Sequence, residues 1–462
     1  MHDFPVIDFS CPEPSRGEIL NKSILTEVWE DMDATTLPSW IGRPPQLFGS
    51  TGQGKTKADQ WRTICTVNLP ITLIRLWGQK ESSDEDVRLL NNFLALVIAV
   101  RWATMRSTSV KHQQVVQAHL TYYLKSLVEL FGADVLTVNH HISLHLTECL
   151  RLFGPVHGWW SFPFERYNGV VQCLKTNSKI GRWQLILIEL PFNIDALTCL
   201  GELEVTFFRT FCRMTNFKSL VMDGGIALSL GQYRETIFRH FCDKLTERVA
   251  SDLRTLDLED PWAEMQSQLG GAITKPVALT GSAYSGLLQC LNRNAWGMRF
   301  CSFDDLSLSG ASTFKVDPLV RYGTNLVIRG IKFTTERHSA ADSMVLFRPT
   351  PDFTPVAGRI KAIFSHCHPG ASQDPITEHF LILQKYRQID HDEHSRNPYR
   401  QYYKTLGISL YRDEFSEEEY VIHSSQIMNH IATCPYRDGR EGRNYRVILD
   451  IGRVRMQFSL ET

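Results

Sequence analysis

The feature that most constrains this chain is a change of period along it. Up to about residue 250, apolar residues recur at three-and-four spacing, the signature of helices that bury one face. This spacing predicts helices over 60–76, 85–105, 110–131 and 141–152, after a shorter one at 23–32 that Pro38, Pro44 and Pro45 stop. After about residue 270, Gly, Ser and Thr become frequent and short β-type runs take over. They fall at 324–331, 343–347, 357–364, 379–386, 408–411, 419–422 and 445–451. A chain cannot keep one architecture across such a switch. The expectation is an α+β protein with a mostly helical N-terminal part and a small, mainly β C-terminal domain, a barrel or a sandwich. The divisions read as 1–58, 59–260, a linker at 261–315, and the β domain at 316–462.

Size and charge bound the function. A chain of 462 residues calls for two or three domains. Hydrophobic residues make up 43% and charged residues 21%, as in a soluble globular protein. The formal net charge is -1, so any nucleic-acid binding rests on local basic patches and not on a global field. The opening HDFPVIDFSCPEP lacks the basic and apolar regions of a secretory signal. The apolar runs at 93–103 and 183–200 are interrupted by Arg, Asn or Glu, so no membrane partner is expected. The 11 cysteines include no CxxC pair and read as reduced thiols of an intracellular protein.

Several segments hold residue types that carry chemistry. In residues 162–169 (FPFERYNG), Glu165 lies beside Arg166, between aromatics, in a segment bounded by Pro and Gly. Two readings stand: a carboxylate that binds a hard divalent cation, or the partner of Arg166 or another buried cation. His140, His141, His145 and Glu148 offer an i, i+4 histidine pair without the HExxH context, and read as orienting residues more readily than as zinc ligands. His366, Cys367 and His368, followed by Pro369 and Gly370, read as a metal-free turn. Residues 49–56 (GSTGQGKT) satisfy the spacing of a phosphate loop, but two prolines and not a strand precede them, so a flexible loop is the expectation and a nucleotide-dependent enzyme the rival. Residues 385–404 interleave basic and aromatic side chains, a pattern that suits nucleic acid, yet Asp390, Asp392 and Glu393 dilute it and favour a solvated loop. Asp59 is placed to cap the helix that follows, with Trp61, Ile64 and Leu69 facing a core.

Three stretches together resemble the C-terminal region of a CACTA (En/Spm-like) DNA-transposon transposase of the fungal type. They are LPSWIGRPPQLFGSTGQGKTKADQWRTICTVNLP at 37–70, NHHISLHLTECLRLFGPVHGWWSFPFERYNG at 139–169, and GELEVTFFRTF at 201–211. The resemblance implies an RNase H-like core interrupted by a helical insertion, with two early aspartates upstream and a late glutamate after the insertion. Residues 60–150 resemble that insertion and the last part of the core follows it, so Glu165 takes the place of the third acidic ligand, both catalytic and metal-binding. The cation implied for an intact relative is Mg2+ or Mn2+; none is expected for this chain alone, since one carboxylate cannot hold two catalytic ions. Asp3 and Asp8 lack a recognisable context and are not assigned. Many relatives carry Cys- or Asp-x-x-His where this chain has Asp59 and Arg62, which removes support for a metal role there. In the family a short loop runs almost directly into GELE, so residues 182–200 read as an insertion, a retained intron or gene-model error.

The function implied is that of a truncated or relict transposase, inactive alone. The implied partners are the DNA of transposon ends and, in some assemblies, a second copy of the chain. The implied location is the nucleus. The alternative is a non-catalytic DNA- or chromatin-binding protein that works through its β domain.

Overall fold

The computed structural model describes residues 19–50, 52–53, 56–161, 267–294, 298–305, 313–328, 330–350, 354–370, 374–390, 397–437 and 444–452. The chain divides into two units, Met1–Trp159 with Glu259–Thr462, and Trp160–Leu258. Nearly all described residues belong to the first, which is α+β: helices in the N-terminal part and a β-rich C-terminal region.

Helix α1 (Lys22–Ala34) starts where the Asn21 side chain accepts the N–H of Ile24 at 3.0 Å, satisfying a donor that the first turn leaves unpaired. Helix α2 (Ala58–Thr63) runs through a wide turn at Ile64–Asn68 into α3 (Leu69–Trp77). Pro70 explains the wide turn. It has no N–H to return to Thr66, and the Leu69 N–H reaches back to the Ile64 carbonyl instead. The helix expected over 60–76 is therefore present, but Asp59 does not cap it. Lys57 holds the cap position, its N–H donating to Gln60 Oε1 at 3.0 Å, and Asp59 pairs with Arg62 at 2.9 Å. Ile64 and Leu69 are buried as expected; Trp61 is 45% exposed and lies edge-on to Phe48.

Helices α4 (Asp84–Ala103) and α5 (Val110–Phe131) form an antiparallel hairpin. Ser83 and Ser109 cap them, and Asp84, Glu85 and Asp86 place negative charge at the positive end of α4. Asn92, early in α4, donates to Ser126 Oγ and to the Tyr123 carbonyl, late in α5. The helix expected over 141–152 is two short ones, α6 (Val138–Ser143) and α7 (Leu146–Phe153), and α7 ends at Gly154 with φ of 76°.

The C-terminal region opens with β1 (Gln268–Gly270), β2 (Val277–Ala278) and helix α8 (Gly281–Asn294). Strands β3 (Arg299–Ser302), β4 (Thr313–Val316), β5 (Leu319–Gly323), β6 (Asn325–Ile328) and β7 (Ile331–Thr334) follow. Next come β8 (Met344–Phe347), β9 (Val356–Pro369), β10 (Pro375–Gln388), β11 (Ile408–His423), β12 (Ile427–Tyr436) and β13 (Tyr445–Asp450). The last six close on themselves in the order β9, β10, β11, β13, β12, β8 and back to β9, every pair antiparallel. Closure leaves no free edge in the ring. Register shifts at Ile382/Leu383 and on either side of Tyr386 bend β10 enough to turn the corner. Gly358 permits the approach, since a Cβ there would stand 2.2 Å from the Gln384 carbonyl oxygen.

Alternation along β10 sorts the apolar residues onto two faces. Leu381 and Leu383 pack inside with Val345, Phe347, Ile360, Ile363 and Ile422. Phe380 and Ile382 face outward with Phe364 and Val421, and α8 covers them with Leu287, Cys290 and Leu291.

The helices and the barrel interlock. Thr36 exchanges backbone hydrogen bonds with Thr433 of β12 at 2.8 and 3.1 Å. Arg101 of α4 donates to the carbonyls of Leu406 and Asp450 at 2.5 and 2.6 Å. The fully buried Tyr399 donates to the Ile71 carbonyl at 2.7 Å. The sequence reading sets the β region apart from the helices. These ties join residues hundreds of positions apart, and periodicity carries no sign of them.

Candidate functional site

The sharpest sequence expectation, Glu165 in FPFERYNG, lies outside the described residues, as do the segment 182–200 and the GELE stretch. The richest gathering of ionisable side chains among the described residues is elsewhere, on the outer face of the barrel beneath α8.

It is built from strand geometry. β9 carries His366, Cys367 and His368, and alternation buries both histidines on one face while Cys367 is exposed on the other. The sequence reading makes this segment a turn; the strand instead runs to Pro369. The turn follows at Gly370, because β9 and β10 pair all the way to Pro369 opposite Pro375. That pairing sets Glu378 directly across from His366, and the pairing of β10 with β11 sets His423 across from Phe380. Glu378 Oε2 lies 3.0 Å from His368 Nε2 and 3.8 Å from His423 Nε2. His379 turns to the opposite face, where its Nδ1 meets Ser267 Oγ at 2.8 Å. Phe300 of β3 meets the His368 ring edge-on, and Phe380 does the same to His423.

His368 Nδ1 faces the Pro369 carbonyl at 3.1 Å and Nε2 faces the Glu378 carboxylate, two acceptors around one ring. His366 gives its Nε2–H to the Asp317 carbonyl at 2.7 Å, leaving Nδ1 a buried lone pair without a partner. The hydrogen bond from His368 holds the Glu378 carboxyl below its ordinary range, against the pull of burial. Burial pushes His366, His379 and His423 down, which keeps them neutral near pH 7. Burial also raises the Cys290 thiol of α8 to about 11, so it is no nucleophile at neutral pH. What this arrangement can do chemically is take up and release protons. Among the described residues no group of three or more His, Cys, Asp or Glu side chains is spaced to hold a metal ion.

The other sequence candidates are placed as follows. His140 Nδ1 accepts the Thr137 N–H at 3.0 Å and so serves as a capping side chain. His141 and His145 stand edge to face with ring centres 5.3 Å apart, on either side of the break between α6 and α7, and Glu148 lies 3.9 Å from Arg151. The described part of the loop at 49–56 follows no strand. In the stretch 385–404, Tyr386, Tyr399 and Tyr402 are buried, which withdraws their rings from base stacking. Lys385 lies over the Tyr420 ring and 3.5 Å from Glu418, Arg387 pairs with Glu414, and Asp390 with Arg412.

Sequence reasoning found His366 and His368 but missed Glu378, His379 and His423. An alternating His-x-His inside a β run was the available signal for the first two. Hairpin register brings in Glu378, and a strand some 40 residues on brings in His423, 3.8 Å from that carboxylate. No helix among the described residues is long and apolar enough to cross a membrane. No family model, curated protein or solved structure matches this chain.

Proposed function

We propose that this chain is the C-terminal part of a CACTA-type transposase, truncated or relict, acting on DNA in the nucleus and catalytically silent alone. The observation that carries the reading is order. A run of helices, α2 to α7, stands between residues 58 and 153 and leads directly into the FPFERYNG segment, as the family's helical insertion leads to its late glutamate. In this reading residues 162–211 contribute the last part of an RNase H-like core and Glu165 its third acidic ligand. With two further carboxylates, Glu165 would hold Mg2+ or Mn2+, the source of an activated water and of charge stabilisation on the leaving oxygen. A formal net charge of -1 is compatible with this role, because phosphate contacts need only a local patch.

The test begins at the locus. Flanking inverted repeats that start CACTA, and an in-frame upstream segment encoding two aspartates in strand contexts, are expected. The full-length protein should then nick transposon-end DNA with Mn2+, and Glu165→Ala should abolish nicking while salt-sensitive DNA binding persists. An unchanged rate in Glu165→Ala, or a locus with neither repeats nor upstream aspartates, overturns the reading. DNA binding without those features would identify a non-catalytic DNA- or chromatin-binding protein instead.

A further inference from the structure

The cluster under α8 has a property that the transposase reading neither uses nor explains. Three histidines, 366, 368 and 423, share the outer face with one carboxylate, Glu378, beside the covering helix α8. One carboxylate can balance one imidazolium, and His368 Nε2 lies nearest it at 3.0 Å. Each further proton on this face is uncompensated. A proton on His366 would enter at the orphaned Nδ1, a buried donor with no acceptor. A proton on His423 would add a second cation 3.8 Å from an oxygen that already serves His368.

The groups around the patch do not relieve that charge. From α8 come Arg293, a third cation, and the neutral Cys290 thiol, both of which act on this neighbourhood. From the segment before β5 comes Asp317, whose carbonyl already takes the His366 hydrogen bond. On the opposite face His379 adds a further imidazole beside Ser267. Toward β9, β10 and β11 the covering helix makes apolar contacts with Phe364, Phe380, Ile382 and Val421, and a 3.7 Å thiol contact joins Cys290 to Gln426. Its stronger hydrogen bonds run elsewhere: Asn292 exchanges two with Phe300 of β3 at 2.8 Å, and Tyr284 donates to the Val316 carbonyl at 2.6 Å. Like charge on the barrel side therefore works against apolar contacts.

We propose that these histidines are an acid-operated release for α8: protonation below neutral pH loads the closed face with positive charge and lifts the helix from the barrel. The ligand is the proton, and what is exposed is the apolar face of β9, β10 and β11. The direction follows from the ring states. His366 and His423, lowered by burial in the folded form, charge readily when exposed, so the open form binds more protons and gains as pH falls below about 6.5.

The experiment is amide hydrogen exchange on the full chain, corrected for the intrinsic pH dependence of exchange. Opening of α8 should rise at least about tenfold between about pH 7 and pH 5, with the α4–α5 hairpin unchanged. His423→Gln should move the transition to lower pH, and Glu378→Gln, which removes the neutralising carboxylate, to higher pH. Opening that is uniform over the chain, or a transition unmoved in both variants, overturns the proposal. So does a stoichiometric divalent metal retained after dialysis, since a metal ion would then occupy the place between His368 and Glu378. The wild-type profile needs no variant, so poor folding of a substituted chain leaves the test intact.

Discussion

The barrel is gripped on two sides by helices, and the two grips are built from different ions. On one side Arg101 of α4 reaches it directly, and Arg75 of α3 locks α1, the helix against β12, in place. Arg75 donates to the buried Asp31 at 2.8 Å and to Glu27 at 2.7 Å, and Arg101 donates to the carbonyls of Leu406 and Asp450. On the other side α8 lies over histidines and one glutamate. Burial works to lower the Arg75 pKa, but the charge of Asp31 and the hydrogen bonds from both carboxylates hold it above its ordinary value. Burial brings Arg101 down to about 10, still charged at neutral pH. A guanidinium seam is therefore fixed over the physiological range, while an imidazole seam changes charge within it. Polar groups of equal burial can serve as a rivet or as a release, and the pKa of the cation decides which.

The comparison breaks most easily at Arg75. Arg75→Met keeps the volume of the side chain but strands Asp31, which is 2% exposed, without its strong partner. Removing one member of a buried pair costs about 3–5 kcal/mol. Urea unfolding should show a loss of that size, and the double change Arg75→Met with Asp31→Leu should recover most of it. A loss under about 1 kcal/mol would mean that the arginine seam is a surface decoration and not a rivet.

One histidine does sit in the arginine seam and sharpens the contrast. His430 of β12 accepts from Trp40 Nε1 at 3.2 Å through Nδ1, faces the Asp342 carbonyl at 3.1 Å through Nε2, and stacks on Phe333. Its neutral form is fully satisfied, and burial lowers its pKa from 6.5 to about 4. The unfolded chain binds the proton more tightly, so stability is complete above about pH 6.5 and is lost as pH falls toward 4, by about 3 kcal/mol across that window. His430→Gln should flatten this part of the stability–pH profile at some cost in stability at pH 7. An unchanged slope would place the acid sensitivity elsewhere.

Much of the architecture was legible because it is local. The three-and-four spacing located α1 to α5 to within a few residues, and the β runs located β8, β9, β10 and β13. What failed was also physical. Asp59 looked like a cap, but Lys57 is where the backbone turns extended. His366 to His368 looked like a turn because Pro369 and Gly370 follow, yet proline is tolerated at the end of a strand. β12 (IMNHIATCPY) was missed because it is buried on both faces and so does not alternate. The seams were not legible at all. Arg75 with Asp31 and His423 with Glu378 are each brought together by the closed fold, at separations where sequence spacing is silent.

The α8 grip can also be weakened without touching a charge, which separates its packing from its titration. Gly286 lies where a Cβ would come within 2.7 Å of Val421 Cγ2. Val421 sits on β11 opposite Ile382, is 7% exposed, and is β-branched, so it cannot swing aside cheaply. Gly286→Ala gains about 0.5–1 kcal/mol of helix propensity and pays about 1–3 kcal/mol of overpacking. A net loss of about 1 kcal/mol is expected, with faster exchange confined to α8 and no change at the helices held by Arg75 and Arg101. The acid release should then begin at higher pH, because less charge is needed to lift a helix already loosened. A stabilised α8 in this variant would show that Val421 yields, and that the cover rests on the histidine face more than on its apolar contacts.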